Sequence, residues 1–273
     1  MRSTFHPFTC ILALLLLPSS IFLPALQAQQ RDPSTTSRLY RTAYEFRFDG
    51  YGNGAWWLSG DSSATPANPL IGIDGFVFSA EGPTGPLFGG NWLGAKGWQP
   101  GPVEAGTPPT DPRVYHTGRF TQEEWDALPD SARASFLHDL THWPVQRGAP
   151  FLDADGDGRY SPDLAAFPDV PGDAPMPIGD EAMWAVVHDG GPFAESTWGQ
   201  TEAGIEFRHL IWAMAEGECA DHIFFQRLRI VNRSEDMFHD IRLGLFADIS
   251  LGDPSDDLVG YDSTIGLAYI YNA

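Results

Sequence analysis

The sequence predicts a mainly β protein: an antiparallel, sandwich-like fold with long Gly/Pro-rich loops and a short helical insertion. Three observations carry that expectation. Apolar residues recur at every second position in several segments, most cleanly at Ile241, Leu243, Leu245, Ala247 and Ile249. Clusters of turn-forming residues separate those segments, in a chain holding 29 Gly and 23 Pro. Helical spacing is convincing only between Thr121 and His142.

The chain opens as a secretory signal peptide. Arg2 supplies a positive start, Cys10 to Leu17 is an apolar run closed by Pro18, and Leu26-Gln27-Ala28 ends in a cleavage-like site. The run is too short and too Pro-broken to cross a bilayer, and no later segment is long and apolar enough to do so. We therefore place the signal at 1–28, a polar disordered lead-in at 29–38 and one β-rich domain at 39–273.

Within that domain Tyr44, Phe46 and Phe48 alternate with Glu45 and Arg47, which predicts a strand over Tyr40 to Phe48. Tyr51-Gly52-Asn53-Gly54 is a turn, followed by short strands at Ala55 to Leu58 and Ile71 to Phe78. From Gly82 to Pro112 glycine and proline dominate. This stretch reads as ordered loop pinned to the core by Leu87, Phe88, Trp92 and Trp98. The helical segment, 121–142, opens with a Thr121/Glu124 capping box. It restarts at Pro129-Asp130-Ser131 and stops before Pro144. Phe136, Leu137, Leu140 and Trp143 share one face of the second helix. Further strands follow at Met183 to Val187, Gly204 to Ala215, His222 to Asn232, the stripe from Ile241 to Ile249, and Ile265 to Tyr271.

The formal net charge is -20, and Lys96 is the only lysine. Such a surface repels nucleic acid and anionic membranes and suits a saline, cation-rich exterior. Of the two cysteines, Cys10 leaves with the signal, so Cys219 has no partner in the mature chain. It reads as a small buried hydrophobe. An exported domain without a disulfide depends on its core and on bound metal.

The most specific motif is Asp153-Ala154-Asp155-Gly156-Asp157-Gly158-Arg159. Hard cations such as Ca²⁺ take roughly six to eight oxygen ligands, and alternate carboxylates aim their oxygens at one point. Asp153, Asp155 and Asp157, the Arg159 carbonyl and Asp163 make the expected shell of a calcium loop spanning 153–163. Leu164 stands where an EF-hand has its bidentate glutamate, and Pro150 and Pro162 exclude the flanking helices. The loop is therefore like those of dockerins or thrombospondin type 3 repeats. A second acidic cluster, Asp248, Asp253, Asp256, Asp257 and Asp262, is either a second metal site or a solvated turn.

Other constellations carry less. His138 and His142 have the spacing of a zinc helix, with both rings expected toward solvent and no third ligand in view. Glu202 with Glu206, or Asp180 with Glu181, are the acidic pairs a glycosidase would need. Their separation across a cleft is not a sequence property. Trp56, Trp57, Trp92 and Trp98 read as loop anchors or as sugar-stacking platforms.

Several blocks, taken together, resemble a known family. They are His142-Trp143-Pro144, the aspartate loop with Tyr160-Ser161-Pro162, Met183-Trp184, Gly204-Ile205-Glu206, Phe224 to Ser234, and Asp248 to Asn272. The resemblance is to the N-terminal part of large secreted proteins of the Bacteroidetes and related bacteria, most of which end in a type IX secretion sorting domain. It implies an exported or surface-attached protein and names no activity. The sequence holds no such sorting domain, and the domain reads as truncated at its C-terminal end. The expected function is a non-enzymatic, calcium-stabilised module of the cell exterior that serves adhesion or binds an extracellular glycan or protein. The rivals are a secreted hydrolase acting on polysaccharide and a structural spacer of a longer chain.

Overall fold

The computed structural model describes residues 36–39, 44–49, 54–58, 71–90, 98–103, 113–164, 168, 172–189, 203–214, 223–249 and 255–272. The signal segment, Trp92, Lys96, Glu202 and Cys219 lie outside them. In chain order the strands begin with β1 (Thr36–Leu39), β2 (Tyr44–Asp49), β3 (Gly54–Leu58), β4 (Ile71–Gly82), β5 (Gly85–Gly90), β6 (Gln99–Pro100) and β7 (Tyr115–Gly118). Helices α1 (Gln122–Ala127) and α2 (Asp130–Thr141) follow. Then come β8 (Phe151–Leu152), β9 (Ala174–Pro175), β10 (Glu181–His188), β11 (Ile205–Ala213), β12 (Phe224–Asn232), β13 (His239–Ile249), β14 (Asp257–Asp262) and β15 (Leu267–Asn272).

The fold is the expected antiparallel β-sandwich. One sheet runs β1-β2-β3-β4-β13 with β5 added on β4; the other runs β12-β11-β10, with β6 and β7 both pairing β10. Phe76, Phe78 and Ala80 alternate on β4 and point into the sandwich, where they meet Trp98, Val187, Ile205 and Phe207. Phe48 of β2 packs on Met183, Ala185 and Ile211 beside them. The apolar run Met183 to Val187 is buried on both faces, as is all of β10, because a third layer covers the sheet's far side. There Trp143 and Ala149 are packed on Tyr115, Ala182, Trp184, Val186 and Leu210. Both helices and the aspartate loop belong to that layer.

Local chemistry explains the helices. Thr121 Oγ1 accepts from the Glu124 N–H at 3.2 Å while Glu124 Oε2 accepts from the Thr121 N–H at 2.7 Å, completing the capping box. Phe136, Leu140 and Trp143 are buried as their spacing requires. Asp139 is buried too, which the spacing did not show. Its Oδ1 pairs with Arg113, and its Oδ2 accepts from the His116 N–H at 3.1 Å. Helix α2 thus tethers itself to β7.

Three expectations change. Strand β1 starts at Thr36, inside the stretch assigned to the lead-in, because Thr36 to Leu39 pair with Phe46 to Asp49. Strand β5 lies in a stretch read as loop. Gly90 marks a close approach, since a Cβ there would stand 2.6 Å from Val77 Cγ1. The stripe on β13 is a strand, but an edge one: Ile241 and Leu245 are exposed and Leu243 alone packs against the core.

A buried ion cluster locks β11 to β12 and to the third layer. Glu206, 0 % exposed, accepts from Arg208 Nε at 2.6 Å and from Arg233 Nε at 3.1 Å. Arg208 lies flat over Gly148, whose φ is +91° and whose added Cβ would fall 1.9 Å from Nη1. Gly148→Ala should therefore cost about 1–3 kcal/mol in urea unfolding, from backbone strain and from displacing a guanidinium held by Glu206.

Candidate metal centre

The aspartate loop is built on a short hairpin. Phe151 pairs with Pro175 and Leu152 with Ala174, so the next rung sets Asp153 against Asp173. Two aromatic contacts fasten the loop to the third layer. The Phe151 and Tyr160 rings meet edge-on at 5.6 Å, and both pack on the cluster around Trp184. Tyr160 also donates its hydroxyl to the Leu140 carbonyl at the end of α2, at 2.6 Å. Burial and the neighbouring Asp173 carboxylate push the Tyr160 pKa upward, so it stays a donor. Tyr160→Phe should keep the ring contact and lose about 1 kcal/mol, read from the melting curve.

Within the loop, each turn is made by an aspartate bonding backbone ahead of it. Asp153 Oδ1 accepts from the Gly156 N–H at 2.7 Å, and Oδ2 from the Gly158 N–H at 2.9 Å. Asp155 accepts from the Asp157 N–H at 3.1 Å, and Asp157 from the Arg159 N–H at 2.7 Å. Gly156 and Gly158 take φ of +76° and +75°, a region costly for other residues. The loop therefore turns sharply twice, at Gly156 and at Gly158.

Asp153, Asp155, Asp157 and Asp173 bring carboxylate oxygens within 4.8 Å of one another, an arrangement that could hold a metal ion. Asp173 was not foreseen. It is only 2 % exposed and ties the loop's two ends together: Oδ1 accepts from the Ala154 N–H at 2.9 Å, Oδ2 from the Ser161 N–H at 2.8 Å. Those amide bonds, Ala154 first, hold its carboxyl below the usual carboxylate range. Asp163, expected to close the shell, is exposed and stands outside this group of four. Arg159 sits in the loop with its N–H engaged by Asp157.

The donor set selects the kind of ion. It offers carboxylate oxygen only, with no nitrogen or sulfur, which is the chemistry of hard cations. Each carboxylate has about four acceptor positions. The hydrogen bonds just described leave acceptor capacity on Asp153, Asp155 and Asp157. Four negative charges this close repel strongly, and a cation relieves that repulsion.

The described members of the second acidic cluster are not brought together in this way. Asp257 and Asp262 stand at opposite ends of β14, and extended backbone separates them by roughly 17 Å. Asp262 closes the β14–β15 turn, accepting from the Thr264 hydroxyl at 2.5 Å and the Thr264 N–H at 2.8 Å, which lowers its pKa. Asp256 is exposed, Asp248 lies within β13, and Asp253 lies outside the described residues. Among the described residues the loop group is the one cluster with three or more convergent ligands.

Of the remaining candidates, the side chains of Trp56 and Trp57 lie outside those described, and His138, His142, Glu206 and Trp98 take structural places. His138 and His142 are exposed as expected, but their rings stack at 4.3 Å, which points their nitrogens in parallel planes and not at one ion. Glu206 is engaged by two arginines, a poor state for acid–base work. Trp98 is fully buried, stacked on Phe76 at 4.7 Å, so it is a core anchor and not a sugar platform. Among the described residues no helix is long and apolar enough to cross a membrane.

No known protein family, curated protein or solved structure matches the chain. Function therefore has to be argued from its own residues.

Proposed function

We propose that this chain is an exported or surface-attached, calcium-stabilised β-rich module that binds an extracellular glycan or protein and does not catalyse a reaction. The convergence of Asp153, Asp155, Asp157 and Asp173 carries the reading. Calcium suits the group better than magnesium, because a solvent-facing loop of irregular geometry suits variable coordination and a small ion that holds its water does not. The Arg159 carbonyl and water would complete the shell. The ion's role is structural: it neutralises the loop and so holds Tyr160 against the end of α2 and Phe151 against Trp184's cluster.

The exported location rests on the signal-like first 28 residues and on the acidic surface, which millimolar extracellular cations would screen. The resemblance to the N-terminal regions of type IX-secreted proteins points the same way. Calcium calorimetry alongside a glycan array tests both halves. Saturable calcium binding with glycan or protein capture, and no hydrolysis of the captured polysaccharide, is the expected result. Turnover of a polysaccharide would move the protein to the hydrolase class.

A further inference from the structure

The sandwich is uneven along one side. In the second sheet β12 is the last strand, and among the described residues no strand pairs with its outer edge. In the first sheet β13 reaches further. Register sets Leu245 beside Phe76 on the same face, yet Phe76 is 2 % exposed and Leu245 57 %. The second sheet therefore covers β4 at Phe76 and leaves β13 open at Leu245. On β12 the inward-facing Phe224, Leu228 and Ile230 are only half-buried.

The other face of β12 is cationic. Arg227 and Arg229 are exposed, and neither forms an ion pair among the described residues. Arg229 lies directly across from Arg208, whose own charge is held by Glu206. Like charges directly opposed are unfavourable, and this chain has 36 acidic residues against 16 basic. Pairing β12 with β12 of a second copy would set arginine near arginine, which disfavours a homodimer through this edge.

We propose that the free edge of β12 takes up an extended segment of a partner protein in which acidic and apolar residues alternate. Backbone pairing along the nine residues of β12 supplies the shared geometry. The acidic side chains then face Arg227 and Arg229, and the apolar ones cover Leu228, Ile230 and Leu245. An acidic glycan would meet the arginines and leave the apolar row and the backbone edge unused. This gives the binding role proposed above a partner class and rests on that reading only for the folded domain, so every titration is run in saturating calcium.

The probe is a capped nine-residue peptide of alternating valine and glutamate, titrated by fluorescence anisotropy against the full chain. Its control carries lysine for glutamate. Saturable binding of the glutamate peptide is expected, about tenfold tighter than the lysine peptide. The double variant R227E/R229E should reverse that preference, a gain that unfolding cannot produce. Leu245→Asn should weaken the glutamate peptide by about threefold to tenfold. No saturable binding, equal binding of the two peptides, or indifference to the charge reversal would overturn the proposal. So would polygalacturonate binding as tightly as the peptide and without regard to Leu245→Asn, or a dimer of the parent chain that R227E/R229E abolishes. Intact calcium binding in the same samples separates this failure from failure of the metal centre.

Discussion

Excess EDTA should lower the melting temperature of the calcium-saturated protein by roughly 5–15 °C. An ion present at about 100 to 1,000 times its Kd adds about 3–4 kcal/mol to the folded state, and each kcal/mol moves the midpoint of a domain this size by about 2–4 °C. The effect is large because the four carboxylates of Asp153, Asp155, Asp157 and Asp173 repel one another once the ion leaves. Replacing Asp153, Asp155 and Asp157 together by asparagine removes most of both the charge and the ion. That variant should melt at one temperature with calcium or with chelator. Equal melting of the parent chain in calcium and in EDTA would remove the structural role of the ion.

Acid should unfold the protein through one histidine of the core. His209 is fully buried between the sheets, with its ring 5.1 Å from those of Phe48 and Phe76. Gln226 Nε2 lies 2.9 Å from Nδ1; with the amide donating there, the proton sits on Nε2. Among the described residues no hydrogen-bond partner reaches Nε2. Burial lowers the His209 pKa from 6.5 to about 3.

A folded-state pKa below the unfolded one means that the stability is fully present above pH 6.5 and is lost as pH falls toward 3. The slope is about 1.4 kcal/mol per pH unit, on the order of 5 kcal/mol across the window. His116, also lowered to about 3 by burial, adds to it, although Glu181 Oε1 stands 3.6 Å from its Nε2 and opposes the shift. Asp139 and Asp189 have pKa values raised, first by burial, and act in the opposite sense, since the fold favours their protonated forms. Urea unfolding at pH 7, 6, 5 and 4 should show a steep fall in the parent chain and a flatter one in His209→Gln. Parallel slopes for the two proteins would show that His209 does not set the acid limit.

An unbroken apolar run marked β10, which is buried along its whole length, and period-two patterning marked β11 and β12. It overvalued β13. A stripe such as Ile241, Leu243, Leu245 reports which side chains could be buried, not whether a neighbouring sheet extends far enough to bury them. It missed β5, where Gly90 serves close strand approach and not a turn. In the metal loop, Asp153, Asp155 and Asp157 were legible because their ligand register is local. Asp173 was not, because it reaches the loop through a pairing two residues long, Phe151-Leu152 on Ala174-Pro175, which is too short to leave a periodic trace. Asp163 was favoured by position alone, and it stands outside the group of four that Asp173 joins. His209 left no signal beyond lying in an apolar strand.

Calorimetric titration of the chelator-treated full chain with calcium chloride tests the central claim most directly. The parent chain should show one saturable site per molecule, and Asp155→Asn with Asp157→Asn should abolish it while the far-UV spectrum keeps its β character. Absence of saturable heat in the parent chain, or an unchanged isotherm in that double variant, would contradict the account.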